Sequence, residues 1–153
     1  MADKYVSLTG KDTLVIDGYI ANDLADGDNA TLAFPNDLMA VKTGKNGNSI
    51  YAFNETGRQC DLVLRCLRGG PTDKRLDSRM HEMIRDAPSF TLMTASITKR
   101  IGDGAGSVGT DTYYLDGGVV TKQVETKVNV EGDTEQAVTT YNLKFTNSQR
   151  RIS

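Results

Sequence analysis

Few residues in this 153-residue chain have the types and spacing that catalysis requires. The single histidine, His81, follows Asp77 by four residues in a segment with helical periodicity. A nucleophilic site would need a serine or cysteine placed with that histidine, and no known local pattern supplies one. His81 is therefore predicted to be a solvent-facing helix residue, and an enzymatic function is disfavoured.

Metal and nucleotide sites are also poorly supported. Residues 22–29 carry three aspartates around a glycine, but the spacing of a calcium loop and its final glutamate are missing. Cys60, Cys66 and His81 cannot complete a tetrahedral zinc site. Residues 104–109 match G-x-G-x-x-G, yet a strand-like segment follows where a phosphate site needs a helix. We predict no catalytic residue, no metal ligand and no cofactor.

The cysteines and the amino-terminal residues bear on the cellular compartment. Cys60 and Cys66 lie on one predicted strand about 20 Å apart, whereas a disulfide needs Cα atoms within about 7 Å. They are expected to be reduced core residues. No apolar signal segment or membrane span is visible, so the chain is expected to stay in the cytosol without binding membranes.

Length and composition suit one domain over residues 1–153. The formal net charge is -2, from 18 basic and 20 acidic residues, so the chain offers no overall basic footprint for nucleic acid. Apolar residues make up 38% and tryptophan is absent, which a β-rich protein with polar strand faces tolerates.

The longest apolar strand is predicted over residues 58–67. Side chains alternate between the two faces of a strand, which makes one face continuously apolar and the other mixed. The apolar face consists of Cys60, Leu62, Leu64 and Cys66, and the mixed face of Asp61, Val63, Arg65 and Leu67. A strand of this kind needs partial cover on its second side.

The one convincing helix is predicted over about residues 72–86, with Thr72 or Asp73 as its capping residue and Pro88 beyond its end. Its apolar stripe is predicted to pack on the core and consists of Leu76, Met80, Met83 and Ile84. Its basic residues are left to meet neighbouring subunits, namely Lys74, Arg75, Arg79 and Arg85. We therefore expect Ile84→Asp to abolish folding and Arg79→Glu to spare the monomer.

A projecting hairpin is predicted over about residues 43–57, because a strong turn cluster precedes a short strand with two aromatic residues. Such a hairpin either docks onto a neighbouring subunit or packs on its own sheet, and the pattern does not choose between them. The contact candidates in it are Lys45, Asn46, Asn48, Tyr51 and Phe53.

Two further long elements are predicted beyond the helix. Residues 90–101 form a strand, and residues 119–130 pair with residues 136–146 as the clearest hairpin. One face of that hairpin is apolar and consists of Val120, Val124, Val128, Val130, Tyr141, Leu143 and Phe145.

The chain ends are predicted to be extended. Residues 1–12 are either a mobile arm or an edge strand, and residues 147–153 are a candidate arm. Arg150 and Arg151 in this second segment are candidates for contacts between subunits.

These features describe a mainly β domain with one helix and with strands that need cover from outside their own core. Exposed sheet edges that are not protected by charges, prolines, bulges or cover tend to pair with copies of the same chain. A head-to-tail contact between copies closes into a ring or continues as a filament. The pattern therefore predicts self-assembly.

Residues 62–79, Leu-Val-Leu-Arg-Cys-Leu-Arg-Gly-Gly-Pro-Thr-Asp-Lys-Arg-Leu-Asp-Ser-Arg, resemble the strand, turn and helix of the tail tube proteins of contractile-tailed bacteriophages. The order of elements agrees over nearly the whole chain, and the likeness is specific over residues 60–87. The resemblance implies a two-sheet antiparallel β-barrel or sandwich with one flanking helix.

The resemblance also implies a structural role in the virion. Hexameric rings would stack into the hollow inner tail tube, a conduit for DNA enclosed by a contractile sheath and assembled in the host cytoplasm. The implied partners are further copies of the chain, the sheath protein, the baseplate and tail-terminator proteins, and the tape measure protein and DNA transiently in the lumen. We expect acidic and hydroxyl side chains to dominate the bore, because basic ones would hold DNA through counterion release.

Two alternatives stay open at this stage. The same kind of subunit would serve as the inner tube of a type VI secretion system or of a phage-tail-like bacteriocin. A different class of function is a monomeric β-barrel that binds a small ligand, which the mixed strand faces would also suit.

Overall fold

The computed structural model describes residues 6–25, 29–126, 128, 132 and 134–153, with backbone only at residues 11 and 135. The chain is mainly β, with two antiparallel sheets and one α-helix. No helix in these described ranges is long and apolar enough to cross a membrane.

Nine strands, one α-helix and three short 3-10 turns follow one another along the described chain. They are β1 (Leu8–Ile16), β2 (Tyr19–Ile20), β3 (Ala30–Ala33), β4 (Met39–Thr43), β5 (Ser49–Phe53), a 3-10 turn (Glu55–Arg58), β6 (Cys60–Leu67), α1 (Pro71–Arg85), a 3-10 turn (Ala87–Ser89), β7 (Met93–Gly102), β8 (Val108–Val120), a 3-10 turn (Thr134–Ala137) and β9 (Val138–Ile152).

The larger sheet has seven strands in the order β2-β1-β7-β8-β9-β6-β3, and β4 and β5 form a separate two-stranded sheet. The outermost strands β2 and β3 do not pair with each other in the described part of the chain, so the large sheet is not a closed barrel. The fold is consistent with the sandwich form of the expected architecture.

The predicted strand at residues 58–67 is confirmed as β6. Its apolar face is completely buried, with 0% exposure at Cys60, Leu62, Leu64 and Cys66. Its other face is mixed and half-covered, as the alternation predicts. β6 pairs with β9 through partners such as Leu62 with Leu143, which joins the two most apolar strand faces in one core.

Tight backbone packing completes this core at Gly118, opposite Phe145 in the sheet. A Cβ atom at position 118 would lie 2.3 Å from Cε1 of the Phe145 ring, so only glycine fits under that ring. The buried aromatic ring therefore depends on the absence of a side chain on the neighbouring strand.

In the described part of the chain, the strand alternative for residues 1–12 is confirmed, and the arm predicted for residues 147–153 is wrong. Residues 8–16 form β1, which pairs with β7 from Leu8 opposite Gly102 to Ile16 opposite Ala95. The segment assigned to a carboxy-terminal arm continues β9 as far as Ile152, which lies opposite Asp111 of β8. Backbone pairing along existing strands outweighs the polar composition that suggested mobility.

The predicted hairpin of residues 119–130 with residues 136–146 is only partly confirmed. Val120 lies opposite Leu143 in the ladder and is buried, but β8 ends there. The N–H of Thr121 still donates to the carbonyl of Asn142 at 2.9 Å, and residues 122–126 form no strand. Val124 still packs against the core, whereas Val128 is 94% exposed. The expected position of Val130 in this hairpin lies outside the described residues.

The helix begins and ends one residue earlier than expected, and its buried side is shorter. Leu76 and Met80 are buried and Met83 is half-buried, but Ile84 is 55% exposed. A row of residues spaced four apart rotates by about 40° at each step around a helix with 3.6 residues per turn. Ile84 has therefore turned away from the core, and the prediction that it packs inside is wrong.

Candidate functional site

The first surface feature that could carry a function is the β4–β5 hairpin. Its strands pair from Met39 opposite Phe53 to Thr43 opposite Ser49, so the predicted hairpin at residues 43–57 starts four residues too late. Every residue of both strands is exposed. Three of the predicted contact residues lie in the turn that joins the strands, namely Lys45, Asn46 and Asn48.

One face of this hairpin is a continuous apolar surface. It is formed by two cross-strand pairs, Met39 with Phe53 and Val41 with Tyr51. These four side chains are between 45% and 67% exposed. A single two-stranded hairpin is at best marginally stable in water, so a fully exposed one with an apolar face is suited to packing against a partner.

The base of the hairpin is held firmly by its own chain. The N–H of Asn54 donates to the carbonyl of Leu38 at 2.7 Å, and the Asn54 side chain accepts from the N–H of Thr56 at 3.2 Å. Gly57 lies so close to this segment that an added Cβ would sit 2.7 Å from the carbonyl oxygen of Asp37. The hairpin is therefore presented in a defined direction.

Two long strand edges are also unpaired in the described part of the chain. β6 begins at Cys60 opposite Phe145, so residues 146–152 of β9 pair with β8 alone. On the other side, β2 covers only Val15 and Ile16 of β1, which leaves the outer edge of residues 8–13 without a strand partner.

These two edges bound one unit of four strands, which we call the four-strand unit. It consists of residues 8–14 of β1, 95–102 of β7, 108–115 of β8 and 146–152 of β9. Each neighbouring pair is antiparallel, so β1 and β9 run in opposite directions at its two edges. The β1 edge of one copy can therefore continue the ladder of the β9 edge in another copy.

Arg79, a predicted contact residue, is used within its own subunit. Its Nε lies 2.9 Å from Oδ2 of Asp17, and its NH1 group donates to Glu82 Oε2 at 2.7 Å. Its guanidinium also donates to the carbonyl of Thr91 and lies 4.6 Å from the centroid of the Phe90 ring. The prediction that Arg79 is free for neighbours is therefore wrong, because local carboxylates occupy it.

Asp17 is placed for this contact by a tight turn. Asp17 and Gly18 have φ values of 53° and 82° and join β1 to β2 as a two-residue hairpin loop. On the same side of the helix, the guanidinium of Arg75 lies 4.2 Å above the Tyr19 ring. Arg85, in the last turn of the helix, is exposed and stays a contact candidate.

Arg150, a predicted contact residue of the carboxy-terminal segment, also finds its partner within its own subunit. Its Nε and NH2 groups donate to the two carboxylate oxygens of Asp111 at 2.9 and 2.8 Å. This bidentate contact lowers the pKa of Asp111. Arg151 is exposed on the opposite face of the strand and stays available to a neighbour.

The residues that suggested chemistry lie apart from these surfaces. Both cysteines are free and buried, and burial raises the pKa of the Cys60 thiol to about 11. His81 is exposed on the helix, with Nε2 3.4 Å from Oδ1 of Asp77, as predicted. Residues 103–107 join β7 to β8 and lead into a strand, so they do not form the helix-opening loop that a dinucleotide needs.

Two clefts lie on the side of the large sheet that carries the core. One, of about 490 Å³, lies between β3 and the strands β1 and β7, and its wall includes the ion pair of Lys99 with Asp12 at 2.8 Å. The other, of about 710 Å³, lies between the hairpin base and residues 148–150 of β9. Phe34 and Tyr113 line both.

Met39 and Val41 are the site residues that sequence reasoning missed. They lie before the predicted start of the hairpin at residue 43, although apolar residues alternate on both sides of the turn. Alternation flanking a glycine-rich turn is the usual hairpin pattern and would have located β4. A scan against protein-family models found no match, and a search of curated proteins likewise found none.

Proposed function

We propose that this chain is a structural protein that assembles with copies of itself into hexameric rings, stacked as the hollow inner tube of a contractile tail. The observation that carries the proposal is the four-strand unit with its two unpaired, oppositely directed edges. An edge of this length is a template for pairing with another chain. The resemblance of residues 62–79 to tail tube proteins points to the same kind of assembly.

In the proposed ring, β9 of one copy pairs with β1 of the next. The two edges belong to different parts of the molecule, so the contact is head-to-tail and a suitable rotation closes it into a ring. Six four-strand units supply 24 strands, which at about 4.8 Å apart give a backbone diameter of about 37 Å before tilt. A DNA duplex can pass through such a barrel.

In the proposed tube, the face of the four-strand unit that is turned away from the core lines the bore. The face turned away from the core carries hydroxyl and amide side chains, which include Ser96, Thr98, Thr110, Thr112, Asn147 and Gln149. Arg100 and Arg151 share this face with one carboxylate, Asp116, which lies opposite Asn147, so the proposed bore is polar and weakly basic instead of acidic. A wall with so few cations releases few counterions from DNA and would therefore conduct a genome without gripping it.

The proposal assigns partners to the remaining surfaces. The helix and hairpin side faces outward to the contractile sheath protein, and the two ends of the tube meet the baseplate and tail-terminator proteins. The tape measure protein and DNA occupy the lumen transiently. The protein is then a component of the virion, assembled in the host cytoplasm, or of a related injection machine with the same tube.

A second candidate function is favoured by the cleft of about 490 Å³ beside β3. Its wall combines apolar residues such as Leu32 and Ile97 with the ion pair of Lys99 with Asp12. A cleft of this size is within the range of small-molecule sites. A monomeric ligand-binding protein would use this cleft and would leave the strand edges unpaired.

Sizing the purified chain separates the two candidates. We expect sedimentation velocity to show rings or polymers far above the 16.6 kDa of one chain, and negative-stain microscopy to show hollow rings or tubes. A species that stays at 16.6 kDa over a wide range of protein and salt concentrations contradicts the tube proposal.

A further inference from the structure

We propose that a row of alternating charges in each subunit continues into the next copy, where Arg150 at the edge of β9 meets Asp12 at the edge of β1. This inference rests on the pairing of β9 with β1 proposed above. It adds the register of that pairing and the reason why the β9 edge takes the β1 edge as its partner.

The row, which we call the charge row, crosses all four strands of the four-strand unit on the face that carries the core. Its members are Asp12 of β1, Lys99 of β7, Asp111 of β8 and Arg150 of β9. The Nζ of Lys99 lies 2.8 Å from Oδ2 of Asp12, and Lys99 lies opposite Asp111 in the ladder. Asp111 in turn accepts two hydrogen bonds from Arg150. The row therefore ends in an anion at the β1 edge and in a cation at the β9 edge.

An irregularity in β1 places Asp12 in this row. The register of β1 against β7 shifts between Gly10 and Thr13, so two residues of β1 lie where β7 has only Lys99. Such a bulge can re-aim a side chain. With regular pairing Asp12 would point to the opposite face from Lys99, and the row would stop at β7.

Both ends of the row can take a further partner. The side chains of Asp12 and Arg150 are 49% and 52% exposed, whereas that of Asp111 is 7% exposed. A carboxylate offers two acceptor oxygens and a guanidinium offers five N–H donors. Lys99 contacts Oδ2 of Asp12, and Asp111 takes the Nε and NH2 groups of Arg150. Oδ1 of Asp12 and the NH1 group of Arg150 lie outside these internal contacts.

The free lengths of the two edges end at definite points. On β1, the carbonyl of Leu14 already accepts the N–H of Ala21 at 2.9 Å, so the edge is covered from there on. On β9, the hydroxyl of Ser148 donates to the carbonyl of Arg58 at 2.8 Å, so the chain before β6 lies beside this residue. A strand from another copy must stop at both contacts.

Aligning these two end points sets the register. Because the paired strands run in opposite directions, Thr13 then lies opposite Gln149 and Asp12 opposite Arg150. Thr13 and Gln149 both lie on the bore face, and Asp12 and Arg150 both lie on the core face. A slip by one residue would bring different faces together. Opposite side chains on one face have Cβ atoms about 4.5–5.5 Å apart, which is within reach of an ion pair.

The charges also favour β1 over a second β9 as the partner of the β9 edge. Two β9 edges paired with each other would bring Arg150 and Arg151 of both copies together, and like charges across an interface are costly. The β1 edge instead offers Asp12 on the matching face. The contact is therefore head-to-tail, which a ring or a tube requires.

Neutralising one end of the charge row tests the ionic contact. Asp12→Asn removes the carboxylate from the internal ion pair and from the proposed contact, whereas Lys99→Gln removes only the internal pair. We expect Asp12→Asn to raise the protein concentration needed for assembly at least about tenfold in sedimentation velocity, and Lys99→Gln to raise it less than about threefold. Glu125→Gln, at an exposed carboxylate outside the four-strand unit, should match wild type. Circular dichroism melting checks that each variant folds.

A disulfide between copies measures the register independently. Chains with Thr13→Cys and chains with Gln149→Cys, mixed and oxidised, should give a covalent dimer that neither chain gives alone, because directly opposite Cα atoms are within disulfide reach. Thr13→Cys mixed with Asn147→Cys, two residues out of register, is the matched control and should give little dimer. These positions leave the charge row intact, and both native cysteines are buried.

The outcomes separate this inference from the function on which it rests. If wild type assembles and Asp12→Asn assembles equally well, the ionic contact is overturned. A disulfide through position 147 in place of position 149 overturns the register. Either result leaves the tube proposal standing, whereas a wild-type chain that does not assemble, with no mixed disulfide, overturns both.

Discussion

At the scale of single residues, the start of the helix is fixed by side chains from elsewhere in the fold. The sequence pattern assigns the cap to Thr72 or Asp73, but the cap residue is Gly70 with Pro71 as the first helical residue. The N–H of Thr72 donates to Oδ2 of Asp23 at 3.2 Å, and its hydroxyl donates to the other carboxylate oxygen. A residue 49 positions away supplies the capping oxygen, which no local pattern reveals.

Asp73 ties the same turn to the sheet. Its carboxylate accepts from the N–H of Gly69 at 2.8 Å and from the hydroxyl of Tyr141, a buried residue of β9. Burial and this carboxylate both raise the pKa of the Tyr141 hydroxyl, which therefore stays protonated and donates. The helix is thus attached to both the β2–β3 connection and the central strand of the core.

Asp23→Ala is predicted to reduce the free energy of unfolding by about 0.5–2 kcal/mol, the range of a lost capping oxygen. Burial raises the pKa of Asp23, but the hydrogen bonds from Thr72 outweigh it and lower that pKa overall. The stabilisation by the ionised Asp23 carboxylate is therefore fully present above about pH 4, the pKa of an aspartate in the unfolded chain. This stabilisation is lost as the pH falls through the lower pKa that Asp23 has in the folded chain.

Denaturant unfolding of wild type and Asp23→Ala between pH 7 and pH 2.5 measures this effect. The difference between the two proteins should shrink towards the acid end. Glu125→Ala, a change at an exposed carboxylate, should match wild type throughout. A difference between wild type and Asp23→Ala that is independent of pH would contradict a role for the ionised carboxylate.

At the scale of elements, the helix shows what periodicity can and cannot predict. The stripe of apolar residues correctly identifies a helix with Leu76 and Met80 against the core. It cannot tell how wide the buried side of the helix is, because that depends on the strands beneath. Ile84 continues the pattern in sequence but has rotated away from the core and is exposed.

Alanine substitutions at the two ends of this stripe are predicted to differ sharply. Leu76→Ala should lower the free energy of unfolding by about 2–5 kcal/mol, because it leaves a cavity in the core. Ile84→Ala should change it by less than about 0.5 kcal/mol, as expected for an exposed position. Chemical denaturation of monomers in low-salt buffer compares the two variants. Equal losses of unfolding free energy in both would show that Ile84 is buried in solution.

Among the strands, too, the sequence pattern predicts some features and misses others. Alternation located β6 and its buried face correctly, because one strand face is a local property of the sequence. The extension of β9 to Ile152 was missed, because polar residues such as Asn147 and Gln149 carry no apolar signal. Backbone pairing with β8 holds them in the sheet regardless of their side chains. The unpaired strand edges of the candidate site depend on that pairing, so the sequence pattern does not predict them either.

At the scale of the whole molecule, the unpaired edge of β9 can be blocked at one backbone group. Thr110 and Ser153 exchange both backbone hydrogen bonds at 3.0 Å, and the bonding alternates along an antiparallel pair, so the N–H of Ile152 points outward. Ile152→Pro removes that donor at a position where proline is compatible with an edge strand. We predict that the monomer stays folded and that assembly is reduced about tenfold or more. The reason is the loss of one backbone hydrogen bond between copies and the disturbance of the bonds next to it.

Ile152→Ala is the matched control, since it removes the exposed side chain and keeps the N–H group. Analytical ultracentrifugation of both variants beside wild type gives the comparison. Assembly by Ile152→Pro at the wild-type concentration would mean that the β9 edge is not the contact.

The position of β9 between β8 and β6 sets the order in which the core can form during synthesis. β6 has no partner on that side until the ribosome has produced residues 138–152, which lie between it and β8. Pairing across such a sequence separation is slow and follows synthesis. A nascent chain therefore lacks a finished core, and the β9 edge on which the proposed assembly depends, until these residues have been made.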